Sequence, residues 1–214
     1  MWNTLRNIRA KLLNKRALTK VKRDIESIED VEFCIISSNC IGSKIYQMLN
    51  LTYNTPTVGL FLYAPCFVKF ASDLALYLGK ELVFSEHSLY PEGDGNRANN
   101  GNYPLGRLGD IEIHFLHYKD QKTAKQTWNS LCSRVDYDRL FFIFTDRDLC
   151  TPSLLESFDN IPHKYKVCFT AKKYDFKSCV QIEKYCGQEY IGDIYTEYGN
   201  FYKNFSFSKW LDKK

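Results

Sequence analysis

Three short polar runs in this 214-residue chain hold side chains of the types that can make and break bonds. The first, Ser37-Ser38-Asn39-Cys40-Ile41-Gly42, joins an apolar run to a helical one. Backbone N–H groups at a helix start favour an anion such as phosphate, which makes Ser38, Asn39 and Gly42 candidates for holding a cofactor. The same field lowers a thiol pKa, so Cys40 is the candidate nucleophile among eight cysteines. A packed Cys40 behind a capping Ser38 or Asn39 fits the run equally well. The second run is Asp110–His117, where strand alternation puts Glu112 and His114 on one face and Ile111, Ile113 and Phe115 on the other. A carboxylate–imidazole pair suits acid–base work or metal ligation, and a hydrogen-bonded core histidine has the same pattern. His117 falls just past that strand, in a more open position. The third run, Thr145-Asp146-Arg147-Asp148, follows an apolar strand. Asp146 and Asp148 there could hold Mg²⁺ or Mn²⁺ against a diphosphate, with Arg147 beside it, although aspartates also end strands for turn reasons.

Strands alternating with helices must position these runs. Val31–Ser37, Thr57–Leu62, Glu81–Phe84, Asp110–Leu116, Leu140–Phe144 and Lys166–Thr170 read as strands, several of them apolar throughout. Helices are expected around Ile41–Leu49, over Pro65–Leu78 and Asp120–Cys132, from Thr151-Pro152 to Phe158, and over Ser206–Leu211. Residues 86–109, with five of the 11 glycines and four asparagines, show no periodicity and are expected as a loop. The pattern predicts one α/β domain over 30–214, with a mostly parallel sheet covered by helices on both faces. In such sheets ligands collect beyond the carboxyl ends of the strands, where all three runs lie.

Residues 1–29 form a separate expectation. Eight cations and no acid occupy residues 1–23, so of the net +4 the remainder of the chain holds 4 − 8 = −4. Trp2, Leu5, Ile8 and Leu12, then Leu18, Val21, Ile25 and Ile28, recur at helical spacing. Such a basic amphipathic helix either packs on the domain with a solvated face or lies on an anionic membrane surface. Nucleic acid is not an expected partner, because the body is acidic and carries no module for it. The longest nearly apolar stretch, Val58–Val68, is too short to span a bilayer, and no signal peptide is legible, so a cytoplasmic protein with reduced thiols is expected. No pair of cysteines is closer than six residues, which rules out a Cys-x-x-Cys site. Phosphate-loop, zinc-protease and nucleophile-elbow motifs are missing too.

The stretches IISSNCIGSKIYQMLNLTYNTPTVGLFLYAPCFVKF (35–70), YPLGRLGDIEIHFLHYKD (103–120), TWNSLCSRVDYDRLFFIFTDRDLCT (127–151) and IPHKYKVCFT (161–170) resemble a bacterial family known as domain of unknown function nineteen-nineteen. Its members are often labelled exopolysaccharide or capsule biosynthesis proteins. The resemblance implies an α/β domain working in surface-sugar assembly, with a sugar or lipid-linked sugar as substrate. The Asn39-Cys40 turn is also similar to the start of a capsule acetyltransferase family that binds coenzyme A. The leading expectation is a transferase that moves an acyl group to a sugar, with acetyl-CoA as one candidate donor and Cys40 as nucleophile or thiol-side contact. His114 or His117 would be the base, and Asp146 or Asp148 would orient it or hold the sugar. A metal-dependent glycosyltransferase using Asp146 and Asp148 is the first alternative. A non-catalytic assembly factor docked on the membrane through residues 1–23 is the second.

Overall fold

The computed structural model describes residues 19–193, 195–201 and 203–212. The chemistry-bearing runs are positioned by a four-stranded parallel sheet in the order β1 (Cys34–Ser37), β5 (Leu140–Thr145), β6 (Lys166–Thr170), β7 (Cys179–Gln181). Alternation along the strands gives it two buried faces. Cys34, Ile36, Phe142, Phe144 and Cys168 point into one core, with Phe67 and Phe70 of α3 (Ala64–Ser72), Trp128 of α6 (Gln121–Cys132) and Phe158 of α7 (Pro152–Asp159). Ile35, Phe141, Ile143, Val167 and Phe169 point into the other. Their partners there are Val21 and Ile25 of α1 (19–26), Ile41 and Ile45 of α2 (Ile41–Met48), and Trp210 and Leu211 of α8 (Phe207–Leu211). The chain is thus one α/β domain, as the alternating pattern predicts.

A second, antiparallel sheet joins β2 (Val83–Ser85), β3 (Leu105–Leu108) and β4 (Ile111–His114). Helix α4 (Leu74–Leu78) and helix α5 (Pro91–Asn99) complete the elements that frame this sheet. Thr57–Leu62 is no strand: only Phe61 forms a bridge, to His114, because the N–H groups of this segment go to separate elements. The helix expected over Pro65–Leu78 divides at Asp73, which leaves helical geometry and caps α4 by accepting from the Leu76 N–H. Residues 86–109 contain α5 and β3 rather than a loop. The helix starts at Asp120 and Thr151 are as expected, each capping oxygen accepting an N–H three residues on.

Of the basic helix expected over 1–29, residues 1–18 lie outside the described residues. Over the rest, Val21, Ile25 and Ile28 are buried in the domain, and Asp24 accepts from Ser206 Oγ, Ser208 Oγ and the Phe207 N–H at the start of α8. No helix of the described residues is long and apolar enough to cross a membrane.

Candidate functional site

One irregular segment, 59–64, ties the three polar runs together. The Leu62 N–H donates to Ser38 O at the end of β1, and the Ala64 N–H donates to Asp148 O after β5. Phe61 exchanges both backbone hydrogen bonds with His114 of β4, and Gly59 O accepts from the His117 N–H. Gly59 has φ +67, and a Cβ there would meet the Tyr118 ring at 3.2 Å, so the turn needs glycine. The runs after Ser37, around His117 and after Thr145 therefore open onto one cavity of about 680 Å³ at the carboxyl ends of the parallel strands.

Asn39, Cys40, His117, Arg147 and Asp148 line this cavity. Asp148 and the following Leu149 both lie in the left-handed region, at φ 56 and 67, which non-glycine residues seldom adopt. That turn holds the Asp148 carboxylate in a half-buried position with no hydrogen bond or ion pair to any described residue. Burial pushes its pKa up, against the pull of Arg147 and then His114. Arg147 donates from Nη1 to Ile191 O at 3.4 Å and stands over the Tyr190 ring, making no ion pair among the described residues. His117 is exposed at the rim. Asn39 donates from Nδ2 to Thr145 Oγ1 at 3.2 Å and accepts from the Ile41 N–H, which fixes the turn.

Cys40 meets the cavity, but its thiol is not activated. Burial, and then the Asp193 charge, push its pKa up to about 11, so the lowering expected from the start of α2 is overridden and the thiol is neutral at pH 7. The remaining candidates do not face the cavity. Ser38 is buried, and Gly42 packs so closely that a Cβ would meet Ser37 Oγ at 2.8 Å. Asp146 accepts from the Ala171 N–H at 2.6 Å and the Ile191 N–H at 2.9 Å, tying the β5, β6 and 191 segments together. It is buried and does not line the cavity, so it does not face Asp148 across it.

Glu112 and His114 do form the pair that strand alternation suggests, at 2.8 Å, but both are fully buried. His114 Nδ1 lies 3.0 Å from Tyr103 OH, and its ring stacks on Phe61, a cavity wall, at 4.4 Å. Glu112 also accepts from Ser88 Oγ and the Leu89 N–H, both at 2.6 Å. Burial raises its pKa, yet the hydrogen bonds from His114, Leu89 and Ser88 outweigh this and leave it lowered. The pair props the wall and the entry to α5; it does not reach the cavity.

Sequence reasoning passes over Ser43, Gln47, Asn96, Asp193 and Tyr195, which also line the cavity. Ser43 and Gln47 were within reach of it, four residues apart on α2 and off the apolar stripe of Ile41, Ile45 and Met48. Asp193 and Tyr195 come from a segment with no periodic signal, held over α2 by a Tyr195 hydroxyl bond to Gln47 Oε1 at 2.9 Å.

A family model described as domain of unknown function (DUF1919) matches residues 11–212. A Haemophilus influenzae protein described as uncharacterized is 32% identical over 206 residues, covering 94% of each chain.

Proposed function

The chain belongs to the DUF1919 family, and from that premise we propose that it is a transferase of surface-polysaccharide assembly, moving an acetyl or similar acyl group onto a sugar hydroxyl. The surface-sugar setting comes from the resemblance of the three polar runs; the chemistry comes from the cavity. The observation that carries it is Asp148: a carboxylate without a partner among the described residues, on left-handed backbone, raised in pKa by burial, facing a cavity that Arg147 also lines. A carboxylate of raised pKa is a better general base than an ordinary one.

In this reading Asp148 accepts the proton of the sugar hydroxyl as that oxygen adds to the carbonyl carbon of a thioester such as acetyl-CoA. Arg147 faces the oxyanion that develops. Collapse of the adduct breaks the carbon–sulfur bond, and the departing thiolate takes the proton that Asp148 has accepted, while His117 lines the same cavity on its exposed side. Cys40 is a neutral contact on the thiol side, because its raised pKa does not suit a nucleophile. Metal-dependent glycosyl transfer has less to support it, since Asp146 spends its oxygens on backbone N–H groups. The basic residues 1–23 support peripheral attachment to the inner face of the plasma membrane, beside a lipid-linked acceptor.

The test is transfer of radiolabelled acetyl from acetyl-CoA to a panel of pyranosides and their phosphates by the purified protein. Labelled ester on a sugar hydroxyl is expected. Hydrolysis of acetyl-CoA at the background rate, with no labelled sugar, would sink the proposal.

A further inference from the structure

Gln47 of α2 joins two tyrosines from different segments of the chain. Its Nε2 donates to Tyr53 OH at 3.2 Å, and its Oε1 accepts from Tyr195 OH at 2.9 Å. All three residues line the cavity. Tyr195 is held at its backbone and its ring as well. Its N–H donates to Asp193 Oδ1 at 3.0 Å, and Lys44 Nζ stands 4.7 Å over its ring and 5.1 Å over that of Tyr198. Lys44 does not line the cavity, so this cation backs the ring from behind. The Tyr53 ring packs edge-on against Tyr46 at 5.7 Å. Both tyrosines are half-buried and so keep part of their surface open. Fixing a side chain costs rotamer entropy, and here that cost is met before any ligand arrives.

Fixed aromatic rings among polar side chains suit a ligand with an apolar face and a polar edge. A pyranose is one: the C–H groups on its face are weakly positive, and the face of an aromatic ring carries the negative part of its quadrupole. Its hydroxyls then meet polar groups in the same cavity, of which Asp148 and Asn96 are two. A nucleobase stacks too, but in a coenzyme A thioester the base lies at the far end of a long arm from the reacting carbonyl. In one cavity of about 680 Å³ the ring that shares the space with Asp148 is therefore the acceptor's. We propose that Tyr195, with Tyr53 across the Gln47 amide, is the platform on which the acceptor's pyranose ring stacks, and that Gln47 is the positioning residue that holds it. This rests on the reading of the cavity as the acceptor site; it does not depend on which group is transferred.

Saturation-transfer NMR on the full chain tests it with methyl glucoside, methyl galactoside, methyl N-acetylglucosaminide and coenzyme A as probes. In the wild type, irradiating the protein's aromatic protons should saturate the ring C–H groups of at least one sugar, a result that needs no variant to fold. Tyr195→Ala should weaken that sugar about tenfold, whereas Tyr195→Phe, which keeps the ring, should stay within about threefold of wild type. Gln47→Ala should weaken it several-fold with the melting temperature unchanged, which a merely structural role would not produce. Saturation reaching none of the sugars, or equal sugar binding by wild type and Tyr195→Ala, overturns the platform. Loss of coenzyme A binding in Tyr195→Ala with sugar binding intact also overturns it, and gives the ring to the donor's base. Sugar bound with the expected dependence on Tyr195 but never acetylated would leave the platform standing and remove the transfer reading.

Discussion

Asp146 and Asp148 leave the same strand two residues apart, and the backbone between them decides what each carboxylate does. Asp146 continues the strand direction and accepts two amides, whereas the left-handed turn at Asp148 lifts its carboxylate into the cavity without a partner among the described residues. The sequence pattern Asp-Arg-Asp contains no signal for that split, because it depends on left-handed φ at Asp148 and Leu149. The unpaired state has a thermodynamic sign. Asp148 has a folded pKa above its ordinary 3.8, so its ionised form is disfavoured by folding. It thus subtracts stability at neutral pH, and the loss disappears as the pH falls below 3.8. Asn tolerates positive φ, so Asp148→Asn should fold and melt about 2 °C or more higher than wild type at pH 7, the shift that roughly 1 kcal/mol makes in a chain of this size. At about pH 3 the two should melt together. A variant that melts lower at pH 7 would mean that the carboxylate is a structural partner.

At the scale of elements, α5 departs furthest from what its residues suggest. Its sequence PEGDGNRAN has two glycines and no apolar stripe, and reads as a loop. Packing makes it a helix: Gly93 sits against Ser88, where an added Cβ would meet Ser88 Oγ at 2.0 Å, and Ser88 is pinned by Glu112. Gly93→Ala should therefore destabilise the protein by about 1–3 kcal/mol in urea melts, as overpacked sites do. Gly95→Ala, whose Cβ meets nothing within 4 Å, should be neutral or stabilising. Equal effects would refute the packing account. The elements legible in the sequence, such as β1, β5, β6, α6 and α7, are those whose apolar period and caps agree. Those that were not, β3, β7, α5 and the 59–64 staple, are short and owe their form to partners remote in sequence. The first and third polar runs were legible as cavity candidates because each follows a recognisable strand, and His117 because it lies just past one. The staple that gathers them was not.

At the scale of the molecule, the charge is divided as the sequence divides it. The apolar stripe of residues 21–28 is spent on the domain, leaving the membrane question to residues 1–18 and the cations in their sequence. The full chain should sediment with phosphatidylglycerol vesicles and not with neutral phosphatidylcholine ones, and less so as salt rises. Equal binding to both would contradict an electrostatic anchor. A membrane surface would bring a lipid-linked acceptor to the cavity, but the account stands or falls on the cavity itself. The most direct measurement is the initial rate of acetyl transfer by wild type, Asp148→Asn and Cys40→Ala, side by side. Asp148→Asn should lose about 10²–10⁴-fold, the range for a general base, while Cys40→Ala stays within about threefold of wild type. Loss of transfer in Cys40→Ala with Asp148→Asn fully active would contradict it.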